Sequence, residues 1–324
     1  MRVLVTGATS LIGRAVVTRL HDRGDIVTVF QRRPSGLDAA EHLGDIADYD
    51  AVFAAATGAE AVIHLAGKVA ATGSWSQFED TNVRGTQNVV DAAREARVGR
   101  FVHVSSPSVA HGGRSLVGAP ATTADPDRAR GHYARSKAQA ELAALAADSP
   151  DLAVVAIRPH LIWGPGDTQL VARIVSRARA GRLAIVGSGA ALIDTTYIDN
   201  AADALIAALD RAPGLGGRAL VVTNGQPRPV RELFNRIVAA AGVEPPRIKV
   251  PYPVARIGGL AVERIWERRG REDDPPMTSF LAEQLGTAHW FDQRETRRAL
   301  GWEPAVSLAE GFRRLHASFD VTPQ

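Results

Sequence analysis

The sequence predicts an α/β protein: a doubly wound parallel sheet with a smaller, mainly helical C-terminal substrate lobe. Three observations predict it. Short apolar runs alternate with amphipathic stretches through the first 160 residues. That alternation implies βαβ units and a parallel sheet covered on both faces. A glycine turn, Thr6-Gly7-Ala8-Thr9-Ser10-Leu11-Ile12-Gly13, joins the first strand to the first helix. After Pro159 the texture changes, with denser Pro and Gly and a predominance of helix.

Residues 3–6 read as the first strand. Residues 11–23 follow as a helix, with Ile12, Val16 and Leu20 on one stripe and Gly24 as its stop. A second strand is expected at 26–30, a short third one ahead of Gly44, and further strands at 61–65, 101–105 and 153–157. Helices are expected at 46–56, 77–96 and 127–147, with a Gly-, Pro- and Ser-rich loop running to about residue 125. Right-handed crossovers make this a Rossmann-type sheet. In the second half, helices are expected at 170–180, 200–211, 230–241, 254–269, 276–285 and 308–318. Strands at 218–223 and near 191–198 are expected to rejoin the main sheet. The expected division is a dinucleotide-binding domain over residues 1–160 and a substrate-binding lobe over residues 161–324. The lobe would cover the carboxyl edge of the sheet, where ligands bind in such folds.

Composition narrows the function. With 324 residues, 45% hydrophobic and 23% charged, the chain can bury a large core and is not a disordered polymer. No apolar run reaches the roughly 18 residues of a bilayer span. The chain has no Cys, which excludes disulfides, thiolate metal sites and a thiol nucleophile. It opens directly on a strand-like run, Arg2-Val3-Leu4-Val5, so no secretory signal is expected and the cytoplasm is the expected compartment. The net charge of +3 comes from 38 basic and 35 acidic residues that are interspersed, so no nucleic-acid partner is expected.

The glycine turn has the chemistry of a dinucleotide site. Gly7 permits the tight turn, the small Ser10 lets backbone approach a pyrophosphate, and Gly13 lets the helix pack close to the strand. The amides at the helix start, around Thr9, Leu11 and Ile12, face the anion with the positive end of the dipole. The second strand ends in Gln31-Arg32-Arg33, two arginines where an acidic residue would serve an unphosphorylated ribose. Guanidinium offers paired donors to a 2′-phosphate, so NADP(H) is expected over NAD(H), with NAD(H) possible. Asp45, in Gly44-Asp45-Ile46, either accepts from the adenine amino group or caps the following helix. The small residues of Leu65-Ala66-Gly67, after His64, would let the cofactor lie flat.

Tyr133 and Lys137 lie four residues apart, on one helix face. A fixed ammonium beside a phenol is expected to lower its pKa and make it a usable general acid or base. Val104-Ser105-Ser106-Pro107-Ser108 ends the fifth strand, and a hydroxyl there can hold a substrate carbonyl oxygen.

Taken in order, these motifs resemble the extended short-chain dehydrogenases/reductases. The resemblance also rests on Thr81-Asn82-Val83-Arg84-Gly85-Thr86, Arg158-Pro159, Trp163-Gly164-Pro165-Gly166 and Tyr197-Ile198-Asp199-Asn200. It implies a catalytic trio of Ser106, Tyr133 and Lys137, with Lys137 also at the nicotinamide ribose. It implies that Asn82 positions the lysine through water, that Pro159 through Ile162 lines the nicotinamide, and that the protein dimerises through the helices at 77–96 and 127–147. Ser108 and His160 are further candidates for the substrate pocket, His160 standing equally as a structural histidine.

The stretch Leu192-Ile193-Asp194-Thr195-Thr196-Tyr197 lacks the arginine that sugar-nucleotide epimerases carry there, and is similar to the 3β-hydroxysteroid dehydrogenase-like branch. That branch includes sterol-4α-carboxylate 3-dehydrogenases and 2-alkyl-3-oxoalkanoate reductases. The resemblance thus implies an NADPH-dependent carbonyl reductase or alcohol dehydrogenase acting on a small hydrophobic ketone or alcohol. The alternatives are an NAD-dependent sugar-nucleotide epimerase or dehydratase, and a non-catalytic NADPH-sensing protein. The segment 254–269 carries an apolar stripe, Val254, Ile257, Leu260, Ala261 and Ile265, beside four arginines. An ordinary packed helix with a solvated basic face is the first expectation, a wall over a greasy pocket the second; contact with a membrane surface is not expected. Histidines 103, 111, 132 and 160 match no metal-ligand spacing, and no metal is expected.

Overall fold

The computed structural model describes residues 1–70, 72–269 and 275–320. Its centre is a seven-stranded parallel sheet. Along the chain the first elements are β1 (Arg2–Thr6), α1 (Leu11–Asp22), β2 (Ile26–Gln31), β3 (Ala40–Leu43), α2 (Tyr49–Ala56) and β4 (Ala61–His64). A continuous helical stretch follows: α3 (Trp75–Phe78), a π-helical turn (Glu79–Arg84) and α4 (Gly85–Glu95). Then come β5 (Arg100–Val104), β6 (Leu116–Ala119), α5 (Gly131–Leu145) and β7 (Ala153–Pro159). The edge strand β12 (Arg218–Val222) comes much later in the chain. The intervening elements are β8 (Ile162–Trp163), α6 (Val171–Arg179), β9 (Ala184–Val186), β10 (Leu192–Ile193), β11 (Thr196–Tyr197) and α7 (Ile198–Arg211).

The order across the sheet is β12-β7-β5-β4-β1-β2-β3. Winding reverses between β1 and β4, which opens the crevice at their carboxyl ends where such sheets bind ligands. The strands are near-continuous apolar runs because both faces are covered. Val3, Val5, Ile63, Val102, Val155 and Ile157 face α1 and α7, while Leu4, Val62, Phe101 and Val154 face α2 and α4.

The strand at 218–222 joins the main sheet; the segment near 191–198 does not. Thr196 and Tyr197 instead pair with Ile162 and Trp163, beyond the end of β7. The remaining elements are β13 (Arg228–Pro229), α8 (Val230–Ala240), β14 (Ile248–Val250), α9 (Tyr252–Arg268), α10 (Ser279–Gly286), β15 (His289–Phe291), α11 (Arg294–Leu300) and α12 (Leu308–Asp320). β10 belongs to a small sheet ordered β13-β10-β15-β6, which draws the expected loop before residue 125 into regular structure. A second core, with Trp163, Tyr197, Phe234 and Phe312, holds this region together.

Two boundaries and one packing expectation changed for local reasons. α2 begins at Tyr49, not residue 46, because the Asp48 side chain accepts from Ala51 N–H and caps it. α5 begins at Gly131, whose φ of +79° turns the chain into the helix. The stripe on α9 does not pack inward. Val254, Ile257, Leu260 and Ile265 are 58%, 68%, 44% and 43% exposed, and the helix buries Ala255 and Gly259 against α10 instead.

Candidate active site

The turn between β1 and α1 is shaped by steric necessity. A Cβ on Gly7 (φ +74°) would lie 2.7 Å from the Ala66 nitrogen, and one on Gly13 would lie 2.5 Å from the Gly7 oxygen. Both contacts are with backbone and leave no room for a side chain. Ser10 caps α1: its Oγ accepts from Gly13 N–H at 3.1 Å and donates to the Gly7 carbonyl at 2.9 Å. Its hydroxyl is thus occupied, while the Leu11 and Ile12 amides remain free of helical partners. A filled glycine cradle ahead of open helix amides fits a dinucleotide pyrophosphate.

Behind the cradle the polar groups are paired. Thr6 Oγ1 lies 2.7 Å from His64 Nδ1 and receives Ala66 N–H at 3.1 Å; His64 Nε2 lies 2.9 Å from Thr86 Oγ1. Burial holds His64 neutral, its pKa pushed down to about 3. These bonds fix the Leu65-Ala66-Gly67 wall.

The end of β2, expected to face the adenosine, differs in detail from expectation. Arg32 and Arg33 are exposed, and neither guanidinium meets a partner among the described residues. A carboxylate does stand near the end of β2, but it comes from β3. Glu41 Oε1 accepts from Gln31 Nε2 at 2.7 Å and from Ser35 N–H at 2.8 Å, and these bonds hold its pKa below the usual range. Asp45 does not cap α2; it receives Ala47 N–H at 3.0 Å in a turn and is otherwise exposed. The Ile46 side chain is buried against Gly85, where a Cβ would meet it at 2.6 Å, so only its backbone is left for a nucleotide.

Ser106, Tyr133 and Lys137 come from the end of β5 and the first turns of α5. Lys137 Nζ donates to the Val104 carbonyl oxygen at 2.7 Å, which fastens the helix to the strand end. Burial pushes its pKa down to about 8, against the pull of the Glu141 carboxylate. Ser108 Oγ donates to Ser106 Oγ at 2.9 Å, so the Ser106 proton is free to point elsewhere. The expected lowering of the Tyr133 phenol is not found. Burial pushes it up, the Ser106 hydroxyl opposes, and the ammonium is held by the Val104 carbonyl. Asn82, on the π-helical turn, donates to Ser136 Oγ at 2.9 Å and to the Lys68 carbonyl at 3.1 Å, and receives Lys68 N–H. It therefore locks the residue next to Lys137.

Pro159 ends β7, and His160 Nδ1 lies 2.6 Å from the Asp194 carbonyl oxygen. Leu161 adopts a φ of +44°, a left-handed conformation uncommon for a branched residue, as the chain leaves the sheet toward Ile162.

One ion pair escaped the sequence reading. Arg158 Nε donates to Glu141 Oε2 at 2.8 Å, its Nη2 to Glu141 Oε1, and its Nη1 to the Thr122 carbonyl at 2.7 Å; both side chains are 1% exposed. The signal was present: Glu141 continues the Tyr133–Lys137 stripe by one more helical turn. Among the described residues, no group of three acidic or imidazole side chains is arranged to hold a metal ion.

The fold and this site define an NAD(P)-dependent oxidoreductase of the short-chain type. The chain belongs to the NAD dependent epimerase/dehydratase family, whose pattern it matches over residues 3–222. It is 43% identical over 329 aligned positions to a 2-alkyl-3-oxoalkanoate reductase of Stenotrophomonas maltophilia, covering 98% of this chain and 99% of that one. It is 32% identical to a 3 beta-hydroxysteroid dehydrogenase/Delta 5-->4-isomerase of Mycobacterium tuberculosis, covering 96% and 88%. Human sterol-4-alpha-carboxylate 3-dehydrogenase, decarboxylating, is 29% identical, with 98% and 88% covered. Among solved structures, MoeE5 in complex with UDP-glucose and NAD is similar with a TM-score of 0.75 at 24% identity over 99% of each chain, a likeness of fold. Among the described residues no helix is long and apolar enough to cross a membrane.

Proposed function

We propose that this protein is an NADPH-dependent reductase of hydrophobic 3-oxo acids, acting by general acid catalysis from Tyr133. One observation carries the reading: Ser106 and Tyr133 are hydrogen-bonded at the carboxyl end of β5, where Lys137 is fastened to the Val104 carbonyl, two strands from the glycine cradle. The 43% likeness to a 2-alkyl-3-oxoalkanoate reductase over the full chain supports the substrate class.

Gly7, the open amides of Leu11 and Ile12, and the Leu65–Gly67 wall would hold the dinucleotide. When bound, it supplies the hydride. The protein's own residues handle the oxygen. Ser106 Oγ–H donates to the carbonyl oxygen and stabilises the charge that develops there. Tyr133 Oη–H gives its proton to that oxygen. Lys137 favours the phenolate left behind and also reaches the ribose. A phenol raised by burial alone would be a reluctant donor, so the site becomes competent once Lys137 leaves Val104 for the ribose and the phenol.

Tyr133→Phe is expected to lower kcat by about 10²–10⁴-fold while NADPH still binds. Absorbance at 340 nm and cofactor fluorescence read the two quantities, and unchanged turnover would remove Tyr133 from the mechanism. Arg32 and Arg33 are proposed to hold the 2′-phosphate. Replacing both by Met is expected to weaken NADPH at least tenfold and leave NADH binding unchanged; equal losses for both cofactors would refute the assignment.

A further inference from the structure

Beyond the ends of β5 and β7 lies a second polar cluster that the hydride reaction leaves unused. His111 follows the 3₁₀ turn that starts after Ser106, His160 follows Pro159, and His289 opens β15. The His111 and His289 rings meet edge to face with centroids 4.8 Å apart, and His160 meets His289 at 6.0 Å. They are 4%, 7% and 1% exposed for His111, His160 and His289.

Their neighbours fix which nitrogen carries the proton. A carbonyl oxygen only accepts, so His160 Nδ1 donates to Asp194 O, leaving a lone pair on Nε2. Thr287 Oγ1 gives its proton to the Glu283 carbonyl at 2.7 Å, so it accepts from His289 Nε2 at 2.8 Å, leaving a lone pair on His289 Nδ1. His111 Nδ1 accepts from Gly113 N–H at 3.2 Å, so its proton sits on Nε2. His111 Nε2 and His289 Nδ1 are buried without any partner. A buried polar group left without a hydrogen bond destabilises the free protein, which points to a ligand that completes it.

The surroundings carry surplus positive charge. Glu283 is buried, and its Oε1 gathers two guanidiniums: Arg130, in a close contact, and Arg256 at 3.4 Å. Arg130 stands three residues ahead of Tyr133 and packs on Gly113, where a Cβ would lie 2.7 Å from its Cζ.

Resting on the ketoreductase reading, we propose that His111, His160 and His289, backed by Arg130, form the head-group subsite that receives the carboxylate of the substrate. His111 Nε2–H donates to one carboxylate oxygen, and Arg130 supplies the countercharge. The lone pairs of His160 and His289 oppose a bare anion. The complex therefore holds one proton more than its separated parts, shared between the carboxylate and an imidazole. The charged groups around the cluster are Asp194 and Arg297 behind His160, and Glu283, Arg130 and Arg256 beside His111. None of these supplies that proton at neutral pH without breaking a bond described above.

The test uses 2-alkyl-3-hydroxy acids, which unlike the 3-oxo acids keep their carboxyl group, and their methyl esters, oxidised with NADP⁺. The wild-type enzyme is expected to favour acid over ester at least tenfold in kcat/KM, with KM for the acid alone rising above neutral pH. His111→Leu and Arg130→Met are expected to erase that preference through KM. His111→Gln, which keeps an N–H near Nε2, should restore most of it. Equal handling of acid and ester by the wild type, or equal losses for both in the variants, would overturn the subsite. If neither is oxidised while simple hydrophobic ketones are also inert, the ketoreductase reading itself fails and takes the subsite with it. Thermal melting and NADPH binding identify variants that have merely misfolded, and for those the acid:ester ratio is read on His111→Gln and on the wild-type pH profile.

Discussion

Most polar groups buried beside the glycine turn are joined to one another, whereas several on the side proposed for the substrate keep one atom without a partner. Thr6, His64 and Thr86 form one chain, and Asn82, Lys68 and Ser136 another. Beyond the end of β5, Ser105 Oγ, His111 Nε2 and His289 Nδ1 have no partner, and within the sheet neither ring nitrogen of His103, packed beside His64, has one. The difference follows from what each end must meet. A cofactor end meets one invariant molecule and can be built in advance. A substrate end keeps unspent hydrogen bonds for groups that arrive with the ligand, at a cost in the free protein.

Acid should expose the largest consequence, because both ends bury neutral imidazoles. Burial pushes His64 and His289 down to about 3 and His160 to about 4, and His103 falls as well. The unfolded chain binds these protons near pH 6.5, and the folded chain refuses them. Their contribution is whole above pH 6.5 and falls on acidification by about 1.4 kcal/mol per pH unit per histidine, until each folded value is passed. Asp194, pushed up to about 6, acts in the opposite sense, but it is one group against five, since burial lowers His111 as well. Denaturant melts between pH 7 and 4.5 should show steep destabilisation; a flat profile would mean that the imidazoles are hydrated.

The join between the two ends can be broken at one place. Arg158 reaches Glu141 beneath Lys137, with both partners removed from water. Arg158→Met strands the carboxylate, and loss of one partner of a buried pair costs about 3–5 kcal/mol. The substitution should lower Tm by many degrees. Glu141 also favours the charged form of Lys137, so the pH profile of turnover should shift in any Arg158 variant that still folds.

The glycine turn, the strand ends and the helix that carries Tyr133 and Lys137 were legible in the sequence, and the physical reason is locality. The cradle, the trio and the strand ends are encoded within runs of ten residues, by Gly where a Cβ has no space and by i, i+4 spacing on a helix. The proposed substrate subsite is assembled from residues 111, 130, 160, 283 and 289, which no periodicity connects. His160 was singled out only because it follows Pro159. The carboxylate facing the Arg32–Arg33 loop was invisible for the same reason, since Glu41 arrives from the neighbouring strand.

Helix α9 draws the same contrast within a single element, and there the expected effects are smallest on one side. Its inner side has no slack: a Cβ on Gly259 would lie 2.5 Å from the backbone nitrogen of Ser279. Its outer side carries Ile257 at 68% exposure and Val254 at 58%. A stripe of helical period normally signals a buried face, and here it marks the exposed one, because Tyr252, Ala255 and Gly259, off the stripe, make the apolar contact with α10. Ile257→Ser should therefore change stability by no more than about 0.5 kcal/mol, as for surface positions generally. Gly259→Val should cost several times that amount by forcing the helices apart. Urea melts of the two variants side by side decide the matter. If Ile257→Ser proves as damaging as Gly259→Val, the stripe is covered in solution and the outer side of α9 is an interface.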